Sequence, residues 1–273
     1  MPVGRGHVKT DGWHGQRVLV TGASSGIGAA TAVAFAAAGA TVGICARRAD
    51  RLAGVREECR ARGAECHLWA VDLSRLDEIA DFGRTALADL GGIDVLVNNA
   101  GVPKRRTIAT MAPSDVEDVM AINYFSPVRL TLAVLPYMVA EKHGHIVNVS
   151  SMGVHSAAYR VGAYAASKAA LELFTEALHL ELAGSGVRAH LFIPGSTGSE
   201  FSTPRAGNDP PFPQDPASLA APDDVANALL GCLGTDRFAT FATARDEAVA
   251  TRKNADVNAF VAALAARFAP SSP

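Results

Sequence analysis

Between Val18 and Ala46 the chain carries no charged residue. A run this long and apolar either crosses a bilayer or is buried from both sides inside a protein core. Glycines at 22, 26, 28, 39 and 43 interrupt it, with serines and threonines among them. That punctuation fits a strand, a tight turn, a helix and a second strand better than one continuous membrane helix. RVLVT (17–21) reads as the first strand, GIGAATAVAFAAAG as a helix stopped at Gly39, and TVGICA (41–46) as the second strand. No membrane span is expected.

The same alternation continues. ADRLAGVREECRARG reads as a helix ended by Gly63, ECHLWAVD (65–72) as a third strand, and the following stretch as a helix through Leu90. IDVLVNNAG (93–101) is a fourth strand with its exit loop. Ser114 and Glu117 have the spacing of a capping box, opening a helix to about residue 141 that Pro127 and Pro136 should kink or interrupt. HIVNVSS (145–151) is a fifth strand, 161–183 a helix, VRAHLFIPG (187–195) a sixth strand and FATFA (238–242) a seventh. Strands alternating with crossover helices specify an α/β fold, a doubly wound, Rossmann-like parallel sheet of about seven strands in three layers. The expected organisation is a flexible tail over 1–14, one catalytic domain over 15–243, and a C-terminal helical extension over 244–273. In that extension Val257, Phe260, Val261, Leu264 and Phe268 recur at spacings of three and four, an amphipathic stripe that has to dock on its own or a neighbouring subunit. The segment 196–222, with prolines at 204, 210, 211, 213, 216 and 222, is too long for an ordinary connection and reads as a substrate lid.

With 49% hydrophobic and 19% charged residues among 273, and a formal net charge of −2, the chain suits a globular core and has no overall attraction for nucleic acid or anionic membrane. Its four cysteines form no CxxC pair, and the N-terminal segment has no apolar signal region. A cytoplasmic protein without a metal site is expected.

Two stretches carry chemistry. TGASSGIG (21–28) joins the first strand to the first helix. There Gly22 allows the tight turn, Gly26 and Gly28 let backbone and helix approach, and the helix N-terminus with Ser24, Ser25 and Ile27 offers N–H groups to a pyrophosphate. In YAASK, Tyr164 and Lys168 stand at i and i+4, on one face of a helix. Together with NNAG (98–101) and NVSS ending at Ser151, these motifs resemble the single-domain short-chain dehydrogenase/reductase family over about residues 17–199.

The resemblance implies a hydride transfer between a nicotinamide and a ketone or secondary alcohol. It makes Tyr164 the general acid/base, Lys168 its pKa-lowering neighbour, Ser151 rather than Ser150 the hydrogen bond to the substrate oxygen, and Asn123 the holder of a water linking the lysine to solvent. It implies Asp72 and Leu73 at the adenine, Asn98 to Gly101 on the ribose side (Asn99, Ala100 and Gly101 as contacts), and Pro194, Gly195 and Thr197 at the nicotinamide. Thr21 ties the glycine turn to the NNAG loop. Where an NAD enzyme places an acid at the end of the second strand, this chain has Ala46 followed by Arg47 and Arg48. The arginine fork matches a 2′-phosphate, so NADP(H) is expected over NAD(H). Met152, His155, Tyr159, Arg160 and Phe201 are placed to line the substrate pocket. Two departures stand out: Ile193 replaces the usual Asn before Pro-Gly, and PGSTGS replaces PGxVxT.

Two other functions remain open. Arg129 and Lys104-Arg105-Arg106 would suit a 3-oxoacyl-thioester reductase taking a carrier-protein or coenzyme A substrate. A non-catalytic NADP(H) sensor is the alternative of another class, although such proteins lose the tyrosine or lysine that this chain keeps. A homodimer or homotetramer built on the helices 114–141 and 161–183 is expected.

Overall fold

The computed structural model describes residues 12–156, 159–213 and 215–268. Its strands are β1 (Arg17–Thr21), β2 (Thr41–Ala46), β3 (Cys66–Ala70), β4 (Val95–Asn98), β5 (Gly144–Val149), β6 (Val187–Ile193) and β7 (Ala239–Phe241). They form one seven-stranded sheet in the order β3-β2-β1-β4-β5-β6-β7, parallel throughout. The order reverses between β1 and β4, and a crevice opens there at the carboxyl ends of the strands.

Period-two alternation explains the layers. Val18 and Val20 of β1 face one side, in a core with Phe35, Leu52 and Leu229. Those three come from α1 (Gly26–Ala37), α2 (Ala49–Ala61) and α8 (Pro222–Cys232). Leu19 faces the other side, with Phe82, Leu130 and Leu178. These belong to α3 (Ile79–Leu90), α5 (Ser126–Glu141) and α7 (Gly162–Glu181). The charge-free stretch from Val18 to Ala46 is thus β1, α1 and β2, sandwiched between layers.

The expected capping box is displaced. The helix α4 (Pro113–Met120) starts with Pro113, and Asp115 accepts from the Ala112 N–H at 3.1 Å. From Ala121 to Phe125 the helix widens into a π segment before continuing as α5. Pro127 has no N–H to give the carbonyl of Asn123, which removes one α-helical bond at this point. The continuous helical run Pro113–Glu141 is the one among the described residues long and apolar enough to span a bilayer. Here it packs on α3 and β5 as part of the sandwich.

Both termini differ from expectation. Trp13 packs edge-on against Phe35 at 5.3 Å and His145 at 6.2 Å, so the ordered domain begins inside the expected 1–14 tail; residues 1–11 lie outside the described residues. The single C-terminal helix is two helices, α9 (Ala244–Ala255) and α10 (Val257–Phe268), broken at the extended backbone of Asp256. Thr243 caps α9, accepting from Asp246 N–H at 3.1 Å. On the apolar stripe of α10, Val257 and Val261 remain exposed, Phe260 and Leu264 are half-buried with Arg252 over the Phe260 ring, and Phe268 stacks on Tyr159 at 4.2 Å.

Beneath Trp13, His145 of β5 and His190 of β6 stack with ring centroids 5.2 Å apart and share a 3.0 Å hydrogen bond. Burial pushes His145 down to about 3 and His190 down to about 4. Both rings are therefore neutral in the folded protein, whereas in the unfolded chain they take up protons near pH 6.5. Stability from this pair is complete above about pH 6.5 and is lost as pH falls toward the folded values, by up to about 1.4 kcal/mol per pH unit for each histidine. Thermal melts between pH 7 and 4.5 should show a smaller loss of Tm in the His145→Leu/His190→Leu double variant than in the wild type. Equal slopes would show that the acid sensitivity resides elsewhere.

Candidate active site

The glycine turn and the end of β4 touch without side chains between them. Gly22 and Gly26 have φ of +67° and +57°, a region other residues rarely adopt. A Cβ on Gly22 would lie 2.7 Å from the Cα of Ala100, and one on Gly28 would lie 2.4 Å from Asn99 Nδ2 and 2.5 Å from the Gly22 carbonyl. Thr21 locks the contact. Its Oγ1 accepts from the N–H groups of Asn99 and Ala100, each at 3.0 Å, and Asn99 Nδ2 donates to the Thr21 carbonyl at 2.9 Å. Asn98 does not line the crevice as expected. It turns into a buried chain, donating to Thr131 Oγ1 at 3.1 Å and to Asn148 Oδ1 at 2.8 Å, and Asn148 donates to Thr175 at 2.8 Å.

Tyr164 and Lys168 project from α7 onto the carboxyl end of β5, both buried. Lys168 Nζ donates to the Val149 carbonyl at 2.8 Å. Burial lowers the Lys168 ammonium to about 8, opposed by Glu172 one helical turn further on. Burial raises the Tyr164 phenol to about 12, opposed by a hydrogen bond with Ser151. Ser151 also caps the short helix α6 (Met152–His155), accepting from Gly153 N–H at 3.0 Å. Ser150 points away and donates to Glu172. Asn123, fully buried in the π segment, accepts from Val102 N–H at 2.8 Å and donates to Ser167 Oγ at 3.1 Å. A Cβ on Gly101 would lie 3.3 Å from Asn123 Oδ1 and 3.5 Å from Lys168 Nζ, so both polar groups converge over this glycine.

These groups open onto a cleft of about 890 Å³. Gly22, Ser24, Ser25, Gly26, Ile27, Gly28, Arg47, Arg48, Asp72, Leu73, Asn99 to Gly101, Ser151, Met152, Tyr164, Lys168, Pro194, Gly195, Thr197 and Phe201 all line it. Asp72 accepts from the Ser74 N–H at 3.0 Å and hydroxyl at 2.8 Å, which with nearby arginines holds its carboxyl below the usual range. Phe201 of the lid tilts over Tyr164, ring centroids 5.6 Å apart.

Three expected substrate contacts are elsewhere. His155 turns out of the cleft to the half-buried carboxylate of Glu172 at 3.0 Å. Tyr159 lies outside the cleft, 44% exposed, with Phe268 stacked on its ring. Arg160 is spent on Asp209 at 3.3 Å and lies over Phe212. The basic triplet is likewise occupied. Lys104 and Arg106 pair with Asp115, and buried Arg105 donates to the carbonyls of Thr203 at 2.9 Å and Asp209 at 3.2 Å. Arg129 donates to the Leu76 carbonyl at 2.6 Å.

Other residues at the site escape a motif search. Glu200 and Arg205 of the lid line the cleft, and Lys253 of α9 holds the end of α6 by donating to the carbonyls of Val154 at 2.6 Å and Ser156 at 3.3 Å. Ile193 packs with Met152, Leu191, Phe241 and Val249. The C-terminal extension contributes Val249 to this apolar cluster. The cradle, the cleft volume and the arginine donors fit a dinucleotide with its pyrophosphate on the glycine turn. Among the described residues no cluster of His, Cys, Asp or Glu is arranged to hold a metal ion.

Residues 16–209 match the family model described as short chain dehydrogenase. An uncharacterized oxidoreductase of Mycobacterium bovis is 43% identical over 189 residues, 67% of this chain and 55% of that protein. A fatty acyl-CoA reductase of Acinetobacter baylyi is 40% identical over 170 residues, 62% of this chain and 58% of the relative. The chain thus spans little more than half the length of these curated relatives. Among solved structures, a metagenomic short-chain oxidoreductase in complex with NADP is 35% identical with a TM-score of 0.72, covering 84% of this chain and 96% of that one.

The missing Cβ of Gly28 gives a direct test. Gly28→Ala should fold, with a lower Tm, and bind a dinucleotide at least about tenfold more weakly, since the turn must open to admit the methyl group. Calorimetric titration checks this; unchanged affinity would separate the turn from the binding site.

Proposed function

The chain belongs to the short chain dehydrogenase family, and from that membership we propose that it transfers hydride between NADP(H) and a ketone or secondary alcohol, with Tyr164 as general acid/base. The observation carrying this reading is the meeting of Tyr164, Ser151 and Lys168 in the lining of one cleft, with the Asn123 amide converging with Lys168 over Gly101.

Bound nicotinamide supplies or accepts the hydride. The residues of the chain do the rest. In reduction, Ser151 and the Tyr164 hydroxyl hold the substrate oxygen, and as negative charge grows there the tyrosine proton passes to it. The phenolate left behind is stabilised by the Lys168 ammonium and recovers its proton from solvent along the lysine and Asn123 side. With its pKa near 12, Tyr164 holds the proton to be donated at neutral pH. Phe201 and Met152 supply apolar walls that exclude water from the reacting carbon. Arg47 and Arg48 favour NADP(H), and the NADP-bound solved relative supports that choice. The four cysteines, all buried and unpaired, accord with a cytoplasmic setting.

A second reading, an acyl-thioester reductase, is favoured by the name of the Acinetobacter relative. Against it, the cations that would meet a carrier or coenzyme A are already paired within the chain. A sensor role fits less well, since the complete Tyr-Lys pair is held ready beside Ser151.

Tyr164→Phe should lower kcat with ketones by about a thousandfold while leaving NADPH affinity within about threefold. In the wild type, kcat/KM for reduction should stay level to about pH 8 and fall above it, as Lys168 loses its charge. Cofactor absorbance with NADPH and NADH, against ketones and acyl-thioesters in parallel, provides the readout. Near-normal turnover by the Phe variant would refute the assignment, and a preference for thioesters would favour the second reading.

We also propose that α5 and α7 pair with a second copy. Leu132 is 58% exposed, Leu173 68% and Leu180 67%, and Phe125, Leu132 and Val139 recur every seven residues along one face. Such a face covers itself by self-association. Sedimentation should give a dimer or tetramer, and Leu173→Glu a species of lower mass; a monomeric wild type would overturn this.

A further inference from the structure

At the outer end of the cleft Arg48, Arg51 and Arg205 gather around one carboxylate, with Arg47 beside Arg205. Arg48 Nη1 donates to Glu200 at 2.7 Å, and Arg51 reaches the other oxygen of the same carboxylate at 3.5 Å. The second Arg48 terminal nitrogen donates to Ser24 Oγ at 3.0 Å and Ser25 Oγ at 2.9 Å, on the glycine turn itself. Arg205, five residues after Glu200, donates to the Glu200 carbonyl at 3.5 Å and lies in the repulsive field of both Arg47 and Arg48. The lid rests on the turn as well, since a Cβ on Gly26 would lie 3.0 Å from the Cβ of Ser199. One singly charged carboxylate leaves this group of cations with an excess of positive charge, next to a helix N-terminus that adds more.

We propose that Glu200 is a placeholder for the 2′-phosphate of NADP(H), displaced from Arg48 when the phosphorylated dinucleotide binds, and that Arg205 then closes on the same phosphate from the lid. This rests on the reading of NADP(H) as cofactor and goes beyond it by assigning two lid residues to cofactor choice. A phosphate offers up to two charges and three acceptor oxygens where the carboxylate offers one charge and two. It therefore satisfies Arg48, Arg47 and Arg205 together, which Glu200 cannot. A dinucleotide with a free 2′-hydroxyl has no charge to exchange and leaves Glu200 in place. The lid responds to the phosphate, and the same short turn carries Phe201 over Tyr164.

The test is the ratio of NADPH to NADH affinity, measured by titration calorimetry at low ionic strength on the full chain. Removing the competitor, Glu200→Gln should tighten NADPH about fivefold and leave NADH unchanged. Arg205→Gln should weaken NADPH by a similar factor, again without effect on NADH. Both differences should shrink in high salt. Adenosine 2′-monophosphate against adenosine repeats the comparison without the nicotinamide. If Glu200→Gln leaves the ratio unchanged or lowers it, or if Arg205→Gln moves both cofactors equally, the proposal falls. The wild-type ratio judges the cofactor reading separately. A wild type that favours NADH while Glu200→Gln gains NADPH affinity would refute that reading and keep the exchange.

Discussion

The contact that the site depends on is the one between the turn after β1 and the exit of β4, where backbone meets backbone. Because Gly22 and Gly28 leave no side chain in the way, Thr21 can reach the amides of Asn99 and Ala100 with one hydroxyl. The crevice at the reversal of strand order is then walled by main chain, which presents N–H groups at positions fixed by the fold. A single methyl group at either glycine would separate the two strand ends. It would also move the floor under Gly101, over which Asn123 and Lys168 converge.

The side of the cleft that carries Tyr164 and Lys168 is organised by a defect. The long helix Pro113–Glu141 would run past the site as an ordinary core element if its hydrogen bonding were regular. The π segment at Ala121–Phe125 instead brings Asn123 toward Val102 and Ser167, linking the NNAG exit loop to the helix that carries Tyr164 and Lys168. The buried chain Thr131–Asn98–Asn148–Thr175 does the same one layer deeper, joining β4 and β5 to the helices above them. Both connections are polar and lie inside a low-dielectric core, which makes their geometry specific, although Asn98 Oδ1 accepts no hydrogen bond from the described residues.

Strand positions, the glycine turn and the Tyr-Lys face were legible because each depends on local pattern: alternation in Val18–Val20, φ > 0 at Gly22, i,i+4 spacing at Tyr164. Long-range partners were not. His155 stands where a pocket residue belongs, yet Glu172, distant in sequence, claims its ring. Phe268 stacks on Tyr159, and Lys253 holds α6, because a C-terminal extension without a motif folds back there. Ile193 is a departure in isolation and fits an apolar cluster with Met152 and Leu191, on which Phe241 and, from the C-terminal extension, Val249 pack. The helix α8 was hidden behind a proline-rich stretch whose last proline, Pro222, is its first residue. The displaced cap at Ala112 shows that Pro113 at the first helical position outweighed the Ser114–Glu117 pattern.

The lid is held at both ends. Near its base, Gly198 N–H donates to the Ala220 carbonyl and Ala220 N–H to that of Ser196, each at 3.0 Å. Farther out, buried Arg105 donates to the carbonyls of Thr203 and Asp209, and its own N–H to Asn208 at 2.7 Å. Between these anchors lie two short 3-10 turns, Glu200–Ser202 on the outgoing side and Pro216–Ser218 on the returning side. A free loop of this length would lose about 1–2 kcal/mol of backbone entropy for every residue ordered at each binding event. At the anchored residues that loss falls in folding and is absent from turnover, so closing over a ligand asks only the stretches between anchors to settle.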